Sequence, residues 1–270
     1  MGKLINNLPA TDYHAIEALS ASAAKLLLKS PAHYLADKAN PRAPTAAMKN
    51  GTLTHTLFFE PHKFEEEYAV MPKFDKRTKF GKEGAEQFEA DNEGKIVIDE
   101  YAYERAKAIA ASAHAHPLVK ELMSVGGDAE VTMQWDQYGV KCKARVDYLT
   151  SGMMLDLKTC QDASPAGFAR QIATFSYHIQ AAHYANGFNE ITGIELDQFV
   201  FIAVESEPPY AVGVYTIDEA GLWSGGKLIK QAAEAYKKAL KNKDTLPSYV
   251  DRVMTLSLPS YALVDPTFDC

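Results

Sequence analysis

The sequence predicts an α/β fold, a mixed central sheet flanked by helices with a mainly helical part before it. Three observations lead there. Residues 19–123 have helical composition punctuated by Ser-Pro, Glu-Pro and His-Pro steps. Residues 129–159 alternate apolar and polar side chains with a period of two, the mark of half-buried strands. Residues 176–241 then read as helix, two strands and helix. A sheet with helices before and after it packs as layers around a core.

Taken in order, Leu19–Lys29 (LSASAAKLLLK) is an expected helix with Ser20 or Ser22 as its N-cap. Ser30-Pro31 opens a second helix, since Pro is favoured in a first turn. The stretch from Asn40 to Thr45 is a loop, and Ala46–Phe59 is an apolar helix that Glu60-Pro61 ends before another short one. Met71–Gly84 (MPKFDKRTKFGKEG) is basic, contains Pro and Gly, and reads as an ordered loop. Asp99–Met123 is helical with a break at His116-Pro117. Ala129–Asp136 then sets Val131, Met133 and Trp135 against Glu130, Thr132, Gln134 and Asp136. Gln137-Tyr138-Gly139 turns the chain, and Val140–Leu149 sets Cys142, Ala144, Val146 and Tyr148 against Lys141, Lys143, Arg145 and Asp147. Thr150-Ser151-Gly152 turns it into a third strand, Met153–Thr159. Ser176–Glu190 is a helix, Leu196–Val204 and Tyr210–Thr216 are strands, and Asp218–Lys241 is a long helix with a basic face. One domain over 1–270 is expected: a helical and loop part (1–125), the sheet with its helices (126–245) and a tail (246–270).

Composition narrows the function. Hydrophobic residues at 47% and charged residues at 23% suit a globular core. No run approaches the ~18 apolar residues that span a bilayer. The N-terminal residues lack the pattern of a signal peptide, so a cytoplasmic compartment is expected and no membrane partner. Cys142, Cys160 and Cys270 are scattered and odd in number, one short of a four-cysteine metal or iron–sulfur site, and read as reduced thiols. A net charge of −7 argues against a general polyanion binder but allows a local cationic groove.

The chemistry concentrates in the strands. In a hairpin turning at Thr150-Ser151-Gly152, positions whose numbers sum to about 302 or 303 face each other, which sets Asp147 opposite Leu155 or Asp156. Asp156 and Lys158, two apart, leave the strand on one face, with Leu155 and Leu157 on the other. Two carboxylates and an ammonium therefore converge. Paired like charges on a sheet are destabilising. A divalent cation such as Mg²⁺, which favours carboxylate oxygens, compensates them. By the first hairpin's register Glu130 lies near Arg145, and a structural ion pair and support of a metal are both open to it. Lys141, Lys143 and Arg145 lead along the same strand face to Asp147, a track suited to phosphates.

The string RVDYLTSGMMLDLKT, an acid followed nine residues later by apolar-Asp-apolar-Lys, resembles the PD-(D/E)xK nucleases, with Val146 in place of the motif's Pro. The later QAAHY, placing Gln180 and Tyr184 on one helical face, resembles the RecB-like branch of that superfamily. The segments LSASAAKLLLKSPAHYLA, MKNGTLTHTLFFEP, DKRTKFGKEG, CKARVDYL, LDLKTC and YHIQAAHY together resemble the exodeoxyribonuclease VIII (RecE-like) nucleases. The resemblance implies a restriction-endonuclease-like core. It implies a processive Mg²⁺-dependent exonuclease, Mn²⁺ also being possible, with one or two ions per site. Its substrate is the 5′-ended strand of double-stranded DNA with free ends. It implies a ring-shaped homo-oligomer working with a RecT-like single-strand annealing protein. Carried over by position, Asp147, Asp156 and Lys158 are the catalytic acids and lysine, Gln180 and Tyr184 line the site, and His55 and the Leu157 backbone carbonyl join Asp147 and Asp156 as metal ligands. Lys76, Arg77, Lys79 and Lys82 form a basic segment expected on DNA, and Ser22 and Lys25 are candidates for a 5′-terminal phosphate. Lys237, Lys238, Lys241 and Lys243 read as an exposed helix face. The alternatives are a RecB-like endonuclease, an end-trimming nuclease, an inactive DNA-binding assembly subunit, and a hydrolase of other phosphoesters.

Overall fold

A computed structural model describes residues 2–241, 249, 250 and 252–263. Lys243 and Cys270 lie outside the described residues. In chain order the elements are β1 (Lys3–Ile5), α1 (Ala10–Ala15), α2 (Ala21–Lys29), α3 (Pro31–Ala39), α4 (Ala46–Phe59), α5 (Phe64–Glu67), β2 (Tyr68–Met71), α6 (Lys79–Asp91), β3 (Ile96–Asp99), α7 (Glu100–Ala115), α8 (Pro117–Ser124), β4 (Asp128–Gln137), β5 (Val140–Leu149), β6 (Met153–Cys160), α9 (Pro165–Phe175), α10 (Tyr177–Thr192), β7 (Gln198–Glu205), β8 (Val212–Tyr215) and α11 (Glu219–Lys241).

Local chemistry explains the helix starts. Ser20 accepts from the Ala23 amide and caps α2, and Ser30 accepts from His33 and caps α3, with Pro31 in its first turn. Buried Ala106, Ile109, Ala110 and Ala113 give α7 one apolar stripe. The loop expected over Met71–Gly84 is corrected, because Thr78 accepts from the Gly81 amide and opens α6 at Lys79. The sequence reading also passed over β1, α1, β2 and β3, which are short, and α9.

Six strands form one mixed sheet in the order β1-β4-β5-β6-β7-β8, and β2 pairs with β3 in a separate parallel pair. Tyr138 and Gly139 both have positive φ, the tight turn that suits a two-residue hairpin between β4 and β5. β6 and β7 run parallel, so α9 and α10 form the crossover between them. One face of the sheet buries Met133, Trp135, Ala144, Val146, Met154 and Phe201 against α2, α10 and α11. The other buries Tyr148, Leu155, Leu157 and Ile202 against Phe58 of α4, Ile109 of α7 and Val119 of α8. Tyr148 therefore does not share a layer with Val146, as strict alternation predicted. The phase slips between them, at Asp147.

That slip positions the site. The β4–β5 ladder runs from Asp128↔Leu149 to Gln137↔Val140 but omits Glu130 and Asp147, and Glu130 has φ 53°. The β5–β6 ladder holds only Tyr148↔Leu155 and Leu149↔Met154. Both pairs sum to the predicted 303, but beyond them the strands part. Farther along β5, Leu19 takes the edge instead, its amide bonding the Lys141 carbonyl and its carbonyl the Lys143 amide. Between these two partners lies a gap in the sheet. No described helix is long and apolar enough to cross a membrane.

Candidate active site

Leu157 pairs with Ile202 of β7, but no β5 residue pairs with it across the gap, and side chains take up its backbone groups there. The Leu157 amide donates to Asp147 Oδ2 at 3.1 Å, and His55 of α4 donates from Nε2 to the Leu157 carbonyl at 2.7 Å. A buried backbone group needs such a partner. The carbonyl only accepts, so Nε2 carries the proton. Nδ1 then lies 3.2 Å from Asp147 Oδ2, free to hold a second proton or to offer its lone pair to a cation.

Glu130 joins them. Its left-handed backbone, uncommon outside glycine, sits opposite Asp147. One ligand atom each from His55, Glu130 and Asp147 lie within 4.8 Å of one another. Burial, then the Asp147 charge, pushes the Glu130 carboxyl up to about 7, and Arg145 at 2.5 Å works against that rise. Two carboxylates, an imidazole and a reachable carbonyl are a donor set for a hard divalent ion. The Glu130–Arg145 pair expected from the register is present, and the same carboxylate belongs to the cluster.

Asp156 and Lys158 lie on the other side of Leu157. Asp156 is almost fully buried and Lys158 partly so, and they form an ion pair. Gln180 of α10 donates to Asp156 Oδ1 at 2.5 Å. Burial raises the Asp156 carboxyl to about 6, although the Lys158 charge opposes the rise. Burial alone would lower Lys158, but the Asp156 and Asp147 carboxylates overcome it and raise the ammonium above its usual range. Tyr184, one turn beyond Gln180, is held far above the ordinary phenol range by burial, then by Tyr13 and the two aspartates. Asp147, Asp156, Lys158, His55, Leu157, Gln180, Tyr184 and Glu130 are thus all brought together.

The expected DNA contacts divide. Lys143 is corrected. It is 7% exposed and donates to the carbonyls of Tyr13, His14 and Ile16, so its ammonium holds the N-terminal segment. Arg145 is taken up by Glu130 and lies over the Tyr13 ring. Lys141 is exposed. Arg77 pairs with Asp75, Lys79 with Glu83, and both stand with Lys82 on the surface of α6 and the turn before it. Ser22 is exposed, whereas Lys25 reaches toward Lys158, its ammonium lowered to about 8 by burial and then by that neighbour. Lys238 and Lys241 are exposed, as expected of that helix face.

The sequence reading missed Tyr177. It lies three residues before Gln180 on the same helix, a spacing that puts it on the same face. The ammonium groups of Lys25 and Lys158 lie 5.3 and 5.1 Å from its ring centroid.

Residues 20–256 match the model of a family described as "PDDEXK-like domain of unknown function (DUF3799)". The chain belongs to this PDDEXK-like family. A crystal structure of a "Putative exonuclease" from Eubacterium rectale superposes with a TM-score of 0.62 at 16% identity, covering 94% of this chain and 96% of that one. The family match and this likeness together give a PDDEXK-like nuclease fold. A structure of SSO0001 aligns with a TM-score of only 0.29 at 12% identity, over 78% of this chain and 85% of that one. No curated protein matches.

Proposed function

We propose that the chain is a RecE-like, Mg²⁺-dependent 5′-to-3′ exonuclease that digests one strand of linear double-stranded DNA and leaves 3′ tails for strand annealing. The observation that carries it is the ion pair of buried Asp156 with partly buried Lys158, beside the His55–Glu130–Asp147 cluster. The neighbour from Eubacterium rectale is titled a "Putative exonuclease", which supports a need for free ends. A ring of copies and a RecT-like annealing protein complete the proposal, on the resemblance alone.

His55, Glu130, Asp147 and the Leu157 carbonyl would hold one ion, and Asp156 offers oxygens to a second. Bound there, Mg²⁺ or Mn²⁺ supplies charge neutralisation at the scissile phosphate and a more acidic water. The protein's own groups do the positioning. Gln180 fixes Asp156, and Asp156 keeps Lys158 charged in a partly buried place. The Lys158 ammonium then orients the attacking water or meets charge on the phosphate. Such preorganised electrostatics needs no rearrangement at the moment of reaction.

The test is digestion of an end-labelled linear duplex, with and without a 5′-phosphate, in Mg²⁺ and in EDTA, beside a closed circular plasmid. Shortening from 5′ ends in Mg²⁺, none in EDTA and an intact circle are expected. Asp156→Asn and Lys158→Ala should each lower the rate on the order of 10²–10³-fold or more while far-UV circular dichroism is unchanged. A linearised circle would instead support the RecB-like endonuclease. Wild-type rates in either folded variant would refute the site.

A further inference from the structure

Beside the site stands an aromatic pair that the proposed chemistry does not use. α9 ends at Phe175 and α10 starts at Tyr177, and Ser176 between them is left-handed, with φ 53° and ψ 47°. That conformation is strained for any residue but glycine, and strain of this kind persists where the surroundings enforce it. Its effect is to bring two rings together. Phe175 and Tyr177 stack with centroids 5.7 Å apart and planes 22° from parallel. Tyr177 is anchored inward by stacking on Phe201, 5.9 Å away, which pairs with Asp156 across the β6–β7 ladder. Phe175 is 53% exposed.

The charges around this pair are unevenly matched. Lys158 and Lys25 both approach Tyr177. Asp156 pairs with Lys158, whereas no described carboxylate lies within ion-pair distance of Lys25. An open aromatic surface, backed by a fixed second ring and bordered by an unmatched ammonium, has the make-up of a nucleotide seat. Bases stack on such rings whatever their identity, and the backbone phosphates follow the positive charge.

We propose that Phe175, backed by Tyr177, is a stacking platform for a nucleobase of the cleaved strand next to the scissile phosphate. This rests on the nuclease reading above. Phe175 touches no reacting atom and acts as a positioning residue.

The experiment uses the full chain and a 5′-phosphorylated linear duplex with 2-aminopurine at the terminal nucleotides. Binding is read with Ca²⁺ in place of Mg²⁺, and turnover with Mg²⁺. Stacking on Phe175 should quench the fluorescence of bound 2-aminopurine. Phe175→Ala should lose the quenching and raise KM by about ten-fold or more, the size of one lost base stack, with kcat within about two-fold. Phe175→Trp should keep both properties. Phe175→Leu, which retains the apolar bulk and guards against a folding defect, should behave like Phe175→Ala. Wild-type quenching and KM in Phe175→Leu would overturn the platform, because apolar cover alone would then suffice. If wild-type protein cleaves DNA but Phe175→Ala matches it in both readouts, the platform fails and the nuclease stands. If wild-type protein cleaves no DNA at all, the nuclease reading fails and the platform with it.

Discussion

Glu130 carries a backbone strain in mid-strand, with φ 53°, and that strain delivers its carboxylate to Asp147 and His55. The gain is a ligand cluster, and the consequence is a carboxyl that titrates near neutrality, at about 7, because burial and then Asp147 favour its neutral form. Protons and metal therefore compete for it. Below that value Glu130 is protonated and a poor ligand, and above it the carboxylate is available, so affinity should rise with pH. Calorimetric titration with Mn²⁺ should show about ten-fold weaker binding per unit of pH below 7 and a plateau above 8, if this one proton is released. Glu130→Gln should flatten the profile. A flat profile in the wild type would remove Glu130 from the ligand set. At this scale the sequence was legible for the placement of Asp156 and Lys158 side by side, which needs only a period of two. Lys143 was misread for the same reason. A polar residue on an alternating strand is expected to face water, and only the N-terminal segment packed across that face turns it into a buried clamp.

β5 changes partner along its length, from β6 at Tyr148 and Leu149 to Leu19 at Lys141 and Lys143, and the site occupies the interval. The N-terminal segment is thus part of the sheet edge, and Lys143 is its fastening. Removing the ammonium strands three carbonyls, so Lys143→Met should cost about 2–4 kcal/mol in urea denaturation. Hydrogen exchange should localise the loss to Tyr13–Ile16 and the Leu19 bridge. The salt dependence of DNA binding should not change, since the group meets no phosphate. A shallower dependence would return Lys143 to the DNA interface. The hairpin register was readable in advance because turn length sets it. The parting of β5 and β6 was not, because it depends on Asp147 and the sequence-distant His55 meeting one backbone residue, Leu157. Helix α6 was hidden for a different reason. Gly81 and Gly84 looked like breakers, but a Cβ there would lie 2.1 Å from the Asp75 carbonyl and 2.7 Å from the Phe74 ring. They are glycines of close approach inside a helix.

The whole molecule carries a net charge of −7, yet the proposed substrate is a polyanion. Its long-range field repels DNA, so binding has to come from a small local footprint that outweighs it. That footprint is restricted. Lys143 is spent on carbonyls and Arg145 on Glu130, which leaves Lys25 at the site, with Lys158 beside it in its pair with Asp156. On the surface, Arg77 and Lys79 hold exposed pairs with Asp75 and Glu83, and Lys82 stands beside them. Exposed pairs contribute about 0–1 kcal/mol and exchange readily for a phosphate. With a slope near −0.9 per phosphate neutralised, one chain engaging two to four phosphates should give about −2 to −4 in a plot of log affinity against log salt. Fluorescence anisotropy of a labelled duplex, with Ca²⁺ to prevent cleavage, measures it. Lys25→Ala should reduce the slope by about one. A slope steeper than about −6 would require more cations than one chain offers near the site, and would point to several copies gripping the same duplex. A slope near zero would mean that phosphates are not what this acidic protein holds.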